Sequence, residues 1–218
     1  MKLFSFWRSQ AAFRVRIALG LKHLQAEAVY VDLFKDEQLQ PDYGKLNPAM
    51  LLPTLIDGDG EPLVQSLAIL EYLDEAYPSP ALLPKDVRDR AHVRALSYTV
   101  AVDAHPFVVP RVRKYLEQEL RVAEDDRMKW LRHWLDTATR IIEEMLIHDR
   151  RTGRFCYGDA PTLADACLIP HVTSAQMLYG CDLSEYPTVR RIVDACMEIE
   201  AFADAHPSNQ ADAQAASP

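Results

Sequence analysis

Cysteine is scarce in this sequence. The four present, Cys156, Cys167, Cys181 and Cys196, all fall in the last third and form no C-x-x-C pair. Neither a disulfide framework nor a zinc site is suggested, and reduced core thiols are the reading that remains. The seven histidines include no i, i+4 pair with an intervening Glu, so no metal is expected. Long apolar runs are missing as well. None approaches the roughly 18 residues of a membrane span, and Arg8, Arg14 and Arg16 interrupt the N-terminus where a signal peptide needs an unbroken apolar segment. A cytoplasmic location with no membrane partner is the expectation. Positive charge is in deficit, with Lys and Arg at 24 against 32 Asp and Glu, a net charge of −8. Such a chain gains nothing general from counterion release, so nucleic acid is not expected as a partner. Internal repeats and low-complexity stretches are also absent.

What is present is globular. The hydrophobic fraction is 49% and the charged fraction 26%, and 218 residues suffice for one or two small domains with a sizeable core. The first 80 residues change type in a regular order. "KLFSF" is a short apolar run, "AAFRVRIALGLK" has helical character, and "EAVYVDL" is rich in β-branched and aromatic residues, which together make a βαβ pattern. After an irregular polar segment, "LLPTLIDGDGEPLVQS" carries two apolar runs around Asp57-Gly58-Asp59-Gly60, a hairpin signal. Ser66 then occupies an N-cap position. Leu67, Leu70, Leu73 and Tyr77 follow at spacings of three and four, which predicts a helix.

Pro78, Pro80 and Pro84 break helical continuation and mark a boundary, with domains expected at 1–80 and 87–218. Beyond Val87 the pattern is helical throughout. One or two long helices are predicted over "RDRAHVRALSYTVAVDAHPFVVPRVRKYLEQEL", bent or split at Pro106 and Pro110. Thr162-x-x-Asp165 before an apolar run matches a capping box with Asp in place of Glu. The polar tail "HPSNQADAQAASP" is expected to fray, and Arg14 and Arg16 are read as a solvated or ion-paired helix face.

A βαβ–ββα unit followed by helices, with "LLPTL" before the hairpin and "QSLAILEYL" after it, resembles a cytosolic glutathione transferase. More narrowly, "FWRSQAAFRVRIAL", "LNPAMLLPTL", "DAHP" and "GDAPTLADACLIP" look like the zeta class, which includes maleylacetoacetate and maleylpyruvate isomerases. The resemblance covers nearly the whole chain. It implies an α/β plus all-α architecture, with a thioredoxin-like domain that binds glutathione and an all-helical C-terminal domain that binds substrate.

The resemblance also implies roles for particular residues. Leu52 precedes Pro53 across a bond that is usually cis in such folds, and would hold the cysteinyl part of glutathione by its main chain; an ordinary trans proline at a strand start is the alternative. Gln65 and Ser66 would take the γ-glutamyl carboxylate at a helix N-terminus, and Gln38 the other end of the tripeptide. His105, like Gln38, would reach glutathione by family position, although a structural role suits it nearly as well, and Asp103 would approach the neighbouring subunit's glutathione in a homodimer. Ser9 stands where the first serine of a Ser-Ser-Cys run donates to the glutathione sulfur; a plain N-cap would account for it too. Arg8, with Arg111 and Arg113 next, would bind the carboxylates of the substrate.

This sequence departs from the zeta pattern in places. Gln10 and Ala11 replace the second serine and the cysteine, Val108 and Val109 replace polar residues, and Gln176 and Met177 stand where the isomerases have an arginine. The expected activity is glutathione-dependent cis–trans isomerisation of a maleyl-type dicarboxylic acid. A general transferase acting on apolar electrophiles is the alternative, and a binding protein that has lost the chemistry is a third reading.

Overall fold

The computed structural model describes residues 1–215. In chain order, the first elements are β1 (Lys2–Ser5), α1 (Gln10–Leu21), β2 (Glu27–Tyr30), α2 (Pro41–Leu46), β3 (Thr54–Ile56), β4 (Leu63–Val64) and α3 (Ser66–Ala76). Helices follow: α4 (Val87–Ala101), α5 (His105–Val108), α6 (Pro110–Gln118), α7 (Glu124–Ile147), α8 (Leu163–Tyr179), α9 (Pro187–Met197), α10 (Glu200–Ala205) and α11 (Ala211–Ala215). The fold is thioredoxin-like at the N-terminus and helical thereafter. Among the described residues no helix is long and apolar enough to cross a membrane.

Two compact units result. One comprises Met1–Leu82 together with the chain from Met197 onward, and the other Leu83–Cys196. The last residues therefore return to the first unit, whereas the sequence led us to expect one continuous domain from 87 to 218. Close helix packing accounts for the return. Gly20 of α1 meets Ala201 of α10, and a Cβ on that glycine would lie 2.9 Å from the Ala201 Cβ, so only a residue without a side chain allows the approach. The tail expected to fray is also built in as far as it is described: Pro207 is buried and α11 follows. Ala216, Ser217 and Pro218 lie outside the described residues.

In the first unit β1 and β2 are parallel with α1 between them in sequence, the predicted βαβ arrangement. β3 is antiparallel to β1 and β4 antiparallel to β3, giving the order β2-β1-β3-β4. The hairpin turns through the predicted Asp57–Gly60 segment, where Gly58 has φ +57°, a conformation glycine adopts without steric penalty. Phe13 and Ile17 of α1, Leu55 of β3, and Ile69, Leu70 and Leu73 of α3 are among its fully buried residues. Lys22, at the C-cap of α1, is buried too. Its ammonium donates to Asp74 Oδ1 at 2.9 Å and to the carbonyls of Tyr77 and Pro80, both at 2.7 Å.

In the second unit the two prolines divide the predicted long helix into three. Pro110 opens α6 and Pro106 is the second residue of α5, positions where the missing N–H leaves no helical bond unmade. α8 begins with the predicted capping box: Thr162 Oγ1 accepts from Ala164 N–H at 3.3 Å, and Asp165 Oδ2 accepts from Thr162 N–H at 2.7 Å. Cys156, Cys167 and Cys196 are buried and Cys181 is half-buried. Burial pushes the Asp165 carboxyl up, against the pull of bonds from the backbone N–H groups of Cys156 and Thr162.

Replacing Asp74 by Ala strips the buried Lys22 ammonium of its carboxylate. Breaking a buried pair in this way costs about 3–5 kcal/mol. The expected outcome is a markedly lower urea midpoint for Asp74→Ala than for the parent chain.

Candidate active site

Strand register determines where the loops meet. Phe4 of β1 lies opposite Thr54 of β3, and Thr54 lies opposite Val64 of β4. The exit from β1, the entry to β3 and the exit from β4 therefore share one end of the sheet. Ser5 opposite Tyr30 adds the exit of β2 to the same end. Ser9 follows β1, Leu52-Pro53 precedes β3, Gln65-Ser66 follows β4, and Gln38 lies in the segment after β2. Topology thus gathers the predicted residues of the first unit at one sheet end.

Ser9 is the N-cap of α1, with φ −71° and ψ 110°, and its Oγ accepts from the Ala12 N–H at 3.2 Å. Its own hydroxyl hydrogen takes no protein acceptor among the described residues. Beside it, the Arg8 guanidinium carbon lies 5.5 Å from the centre of the Trp7 ring and 5.3 Å from that of Phe34, a cation–π pairing on both counts. The Leu52-Pro53 bond is cis. The approach to it is fixed by a buried network in which Tyr43 Oη and Asn47 Nδ2 both donate to the Leu51 carbonyl at 2.7 Å. Tyr43 Oη and Thr54 Oγ1 are 2.9 Å apart, which ties the same network to β3. Among the described residues no protein hydrogen bond reaches the Leu52 N–H or carbonyl.

Gln65 holds the N-cap position of α3, one residue earlier than predicted, with φ +71° and no side-chain capping bond. Ser66 is thus the first helical residue, not the cap. Its hydroxyl instead accepts from Arg14 Nη1 at 3.1 Å. Arg14 is only 2% exposed, so of the expected solvated or ion-paired helix face the solvated alternative fails for it. Arg16 is half-buried: its guanidinium donates to Ser5 Oγ and to the carbonyls of Phe6, Trp7 and Ala205, and burial pushes it down to about 10 against the charge of Asp212, which accords with the ion-paired alternative. The burial arises from α3 and α10, which close over α1 from far along the chain. Gln38 is buried; its Nε2 donates to Asp36 Oδ1 at 3.3 Å, while its Oε1 has no hydrogen-bond partner among the described residues.

The second unit carries the other predicted residues. Asp103 is exposed just before α5, His105 opens α5 half-buried, and Arg111 and Arg113 lie in the first turn of α6. Arg111 is exposed, whereas Arg113 is half-buried, with a buried Nε that lacks a hydrogen-bond partner among the described residues. Val108, read as the loss of a polar group, belongs to a core cluster with Leu131, Leu135, Ala175 and Tyr179. Gln176 and Met177 are exposed in the last turn of α8, and Ala11 is buried in α1. Arg14, Arg16 and Asp212, which accepts from the Trp7 N–H, are the residues of the site region that sequence reasoning missed.

A family model described as the N-terminal domain of glutathione S-transferase matches residues 1–75. A probable maleylacetoacetate isomerase of Vibrio cholerae is 43% identical over 213 residues, which is 97% of this chain and 97% of that protein. The holo structure of a maleyl pyruvate isomerase, a bacterial glutathione S-transferase in zeta class, matches with a TM-score of 0.94 at 42% identity, covering 97% of this chain and 99% of that one. A maleylacetoacetate isomerase from Methylobacterium extorquens AM1, with malonate and GSH bound, matches with a TM-score of 0.94 at 44% identity over 96% of this chain and 98% of that one. The chain belongs to the glutathione transferases and, within them, to the zeta class.

The backbone of Gln65 carries a testable cost. A non-glycine residue at φ +71° is strained by about 1–3 kcal/mol, partly offset by the larger unfolded-state freedom of glycine. In the absence of ligand, Gln65→Gly is expected to stabilise the chain by about 1 kcal/mol, read as a higher melting temperature.

Proposed function

We propose that the chain is a glutathione-dependent cis–trans isomerase of a maleyl-type dicarboxylic acid, maleylacetoacetate or maleylpyruvate, in aromatic catabolism. One observation carries the reading: the Ser9 hydroxyl is oriented by the Ala12 N–H as acceptor, at the helix N-terminus, and keeps a hydrogen to donate. Glutathione fits the residues around it. Among the described residues the main chain of Leu52 makes no hydrogen bond and is available to an extended peptide, the first turn of α3 has no side-chain cap and suits a carboxylate, and the buried Gln38 Oε1 has no donor. In this reading Leu52, beside Pro53, holds the cysteinyl backbone, Gln65 and Ser66 the γ-glutamyl end, and Gln38 the other end. Asp103 and His105 serve glutathione in a cytoplasmic homodimer.

When bound, glutathione supplies a sulfur nucleophile for reversible addition to the conjugated double bond, the chemistry by which cis and trans acids interconvert. The protein's part is electrostatic. Ser9 donates to the sulfur, a bond to a charged group worth about 1.5–3 kcal/mol, and the N–H groups of the first turn of α1 favour negative charge there. Arg8, its guanidinium carbon lying over the Trp7 and Phe34 rings, addresses a substrate carboxylate through its N–H groups. Arg111 and Arg113 take the remaining carboxylate, and the buried Nε of Arg113 supports that assignment. Malonate in the Methylobacterium relative is also a dicarboxylate. The burial of Val108 in a helical core favours the isomerase over a transferase with an enlarged apolar site, because that valine adds nothing to an open surface.

Mixing the protein and glutathione with each acid in turn and following loss of enol absorbance tests the activity. Turnover of at least one acid is expected; none with either would end the reading. In Ser9→Ala, kcat/KM should fall about ten- to a hundredfold. Ultraviolet titration should place the thiol of bound glutathione back towards the free range near ~8.5.

A further inference from the structure

Ser9 comes two residues after a peptide group that is held on both sides. The Trp7 N–H donates to Asp212 Oδ2 at 2.8 Å, across a sequence separation of 205 residues. The Trp7 carbonyl accepts from Arg16 Nη2 at 3.3 Å, and the Phe6 carbonyl accepts from Arg16 Nη1 at 3.4 Å. That same Phe6 carbonyl takes the Ser9 N–H at 2.9 Å, closing the turn that delivers Ser9 to α1. Arg16 Nε reaches in the other direction, to the Ala205 carbonyl at 3.1 Å. One guanidinium therefore joins the Ser9 turn to the returning C-terminal segment, and one carboxylate from that segment grips the turn directly.

We infer that Asp212, acting together with Arg16, is a positioning residue for Ser9: the C-terminal segment holds the β1–α1 turn so that the Ser9 hydroxyl meets the glutathione sulfur. The inference rests on the isomerase reading for the chemistry it serves. Its grounds are geometric. Hydrogen bonds to a developing charge lose their value when the donor moves by a fraction of an ångström, so the donor's supporting residues matter as much as the donor. Asp212 is also poorly suited to a purely stabilising task. Its Oδ1 is buried without a hydrogen-bond partner among the described residues, an arrangement that costs stability. Burial pushes its carboxyl up, while the Trp7 N–H and the charge of Arg16 pull it the other way.

The test compares Asp212→Ala with Asp212→Asn in the full-length chain. Asparagine keeps an acceptor for the Trp7 N–H and alanine does not. For Asp212→Ala we expect kcat/KM to fall about tenfold, equivalent to about 1.4 kcal/mol. The bound glutathione thiol should titrate higher than in the parent, and amide hydrogen exchange across Trp7–Ser9 should accelerate. Asp212→Asn should recover most of each effect. An unchanged thiol titration and unchanged kcat/KM in Asp212→Ala would overturn the inference. So would equal losses in both variants that track their melting temperatures, the pattern of a merely structural residue. If the parent bound glutathione but isomerised neither acid, the isomerase reading would fall, and the thiol titration and exchange rates would still decide this one.

Discussion

Thr54 is paired on both sides, with Phe4 and with Val64, and the geometry of the first unit depends on that double pairing. Because β3 opposes both neighbours, the chain leaves β1 and β4 where it enters β3. A slip of one residue in either pairing would turn every side chain of the strand to the other face and carry Leu52-Pro53 away from Ser9. The register is reinforced from the side chains as well as the backbone. The Thr54 hydroxyl contacts Tyr43 and Asn47, which also secure the Leu51 carbonyl, so the strand and the loop leading into it are set by one buried network.

Helix α1 is the second organising element, and its means are electrostatic. The helix and its C-cap carry two buried cations, Arg14 and Lys22, and a half-buried one, Arg16, each directed at a different part of the first unit. Arg14 reaches the start of α3 through Ser66, Lys22 holds the chain that leaves α3, and Arg16 binds both the turn before α1 and the carbonyl of Ala205. Buried charges are costly unless paired or hydrogen-bonded. Here Lys22 is satisfied by a carboxylate and two carbonyls, and Arg16 by three carbonyls and a hydroxyl, so the side chains that would be expensive alone become cross-links between remote segments.

The strands, the hairpin, the capping box and the proline breaks were legible in the sequence because each is a local matter of periodicity or turn chemistry. Ser9 and Leu52-Pro53 were legible through motif resemblance, and strand register then brings them to the same sheet end. The misreadings of Arg14, Arg16 and Ser66 share one cause. Arg14 and Arg16 looked like a solvated or ion-paired face, not an enclosed one, because their partners, Ser66 and Ala205, stand 52 and 189 residues away in sequence. Ser66 looked like a cap because nothing local shows that a buried guanidinium claims its hydroxyl. The short α2 escaped notice because six residues leave too little periodicity to detect. The tail was judged by its apolar content, whereas what fastens it is the Asp212 carboxylate, together with His206 set edge-on against the Phe13 ring.

The return of the chain from Met197 has a consequence for how the protein is made. A ribosome releases the N-terminus first, at roughly 5–20 residues per second. The strands, α1 and α3 emerge early, yet α10, which covers another side of α1, comes out only after the entire helical unit. Until α10 emerges, the nascent first unit therefore exposes the side of α1 that α10 will cover, and its assembly waits on the synthesis of the helical unit.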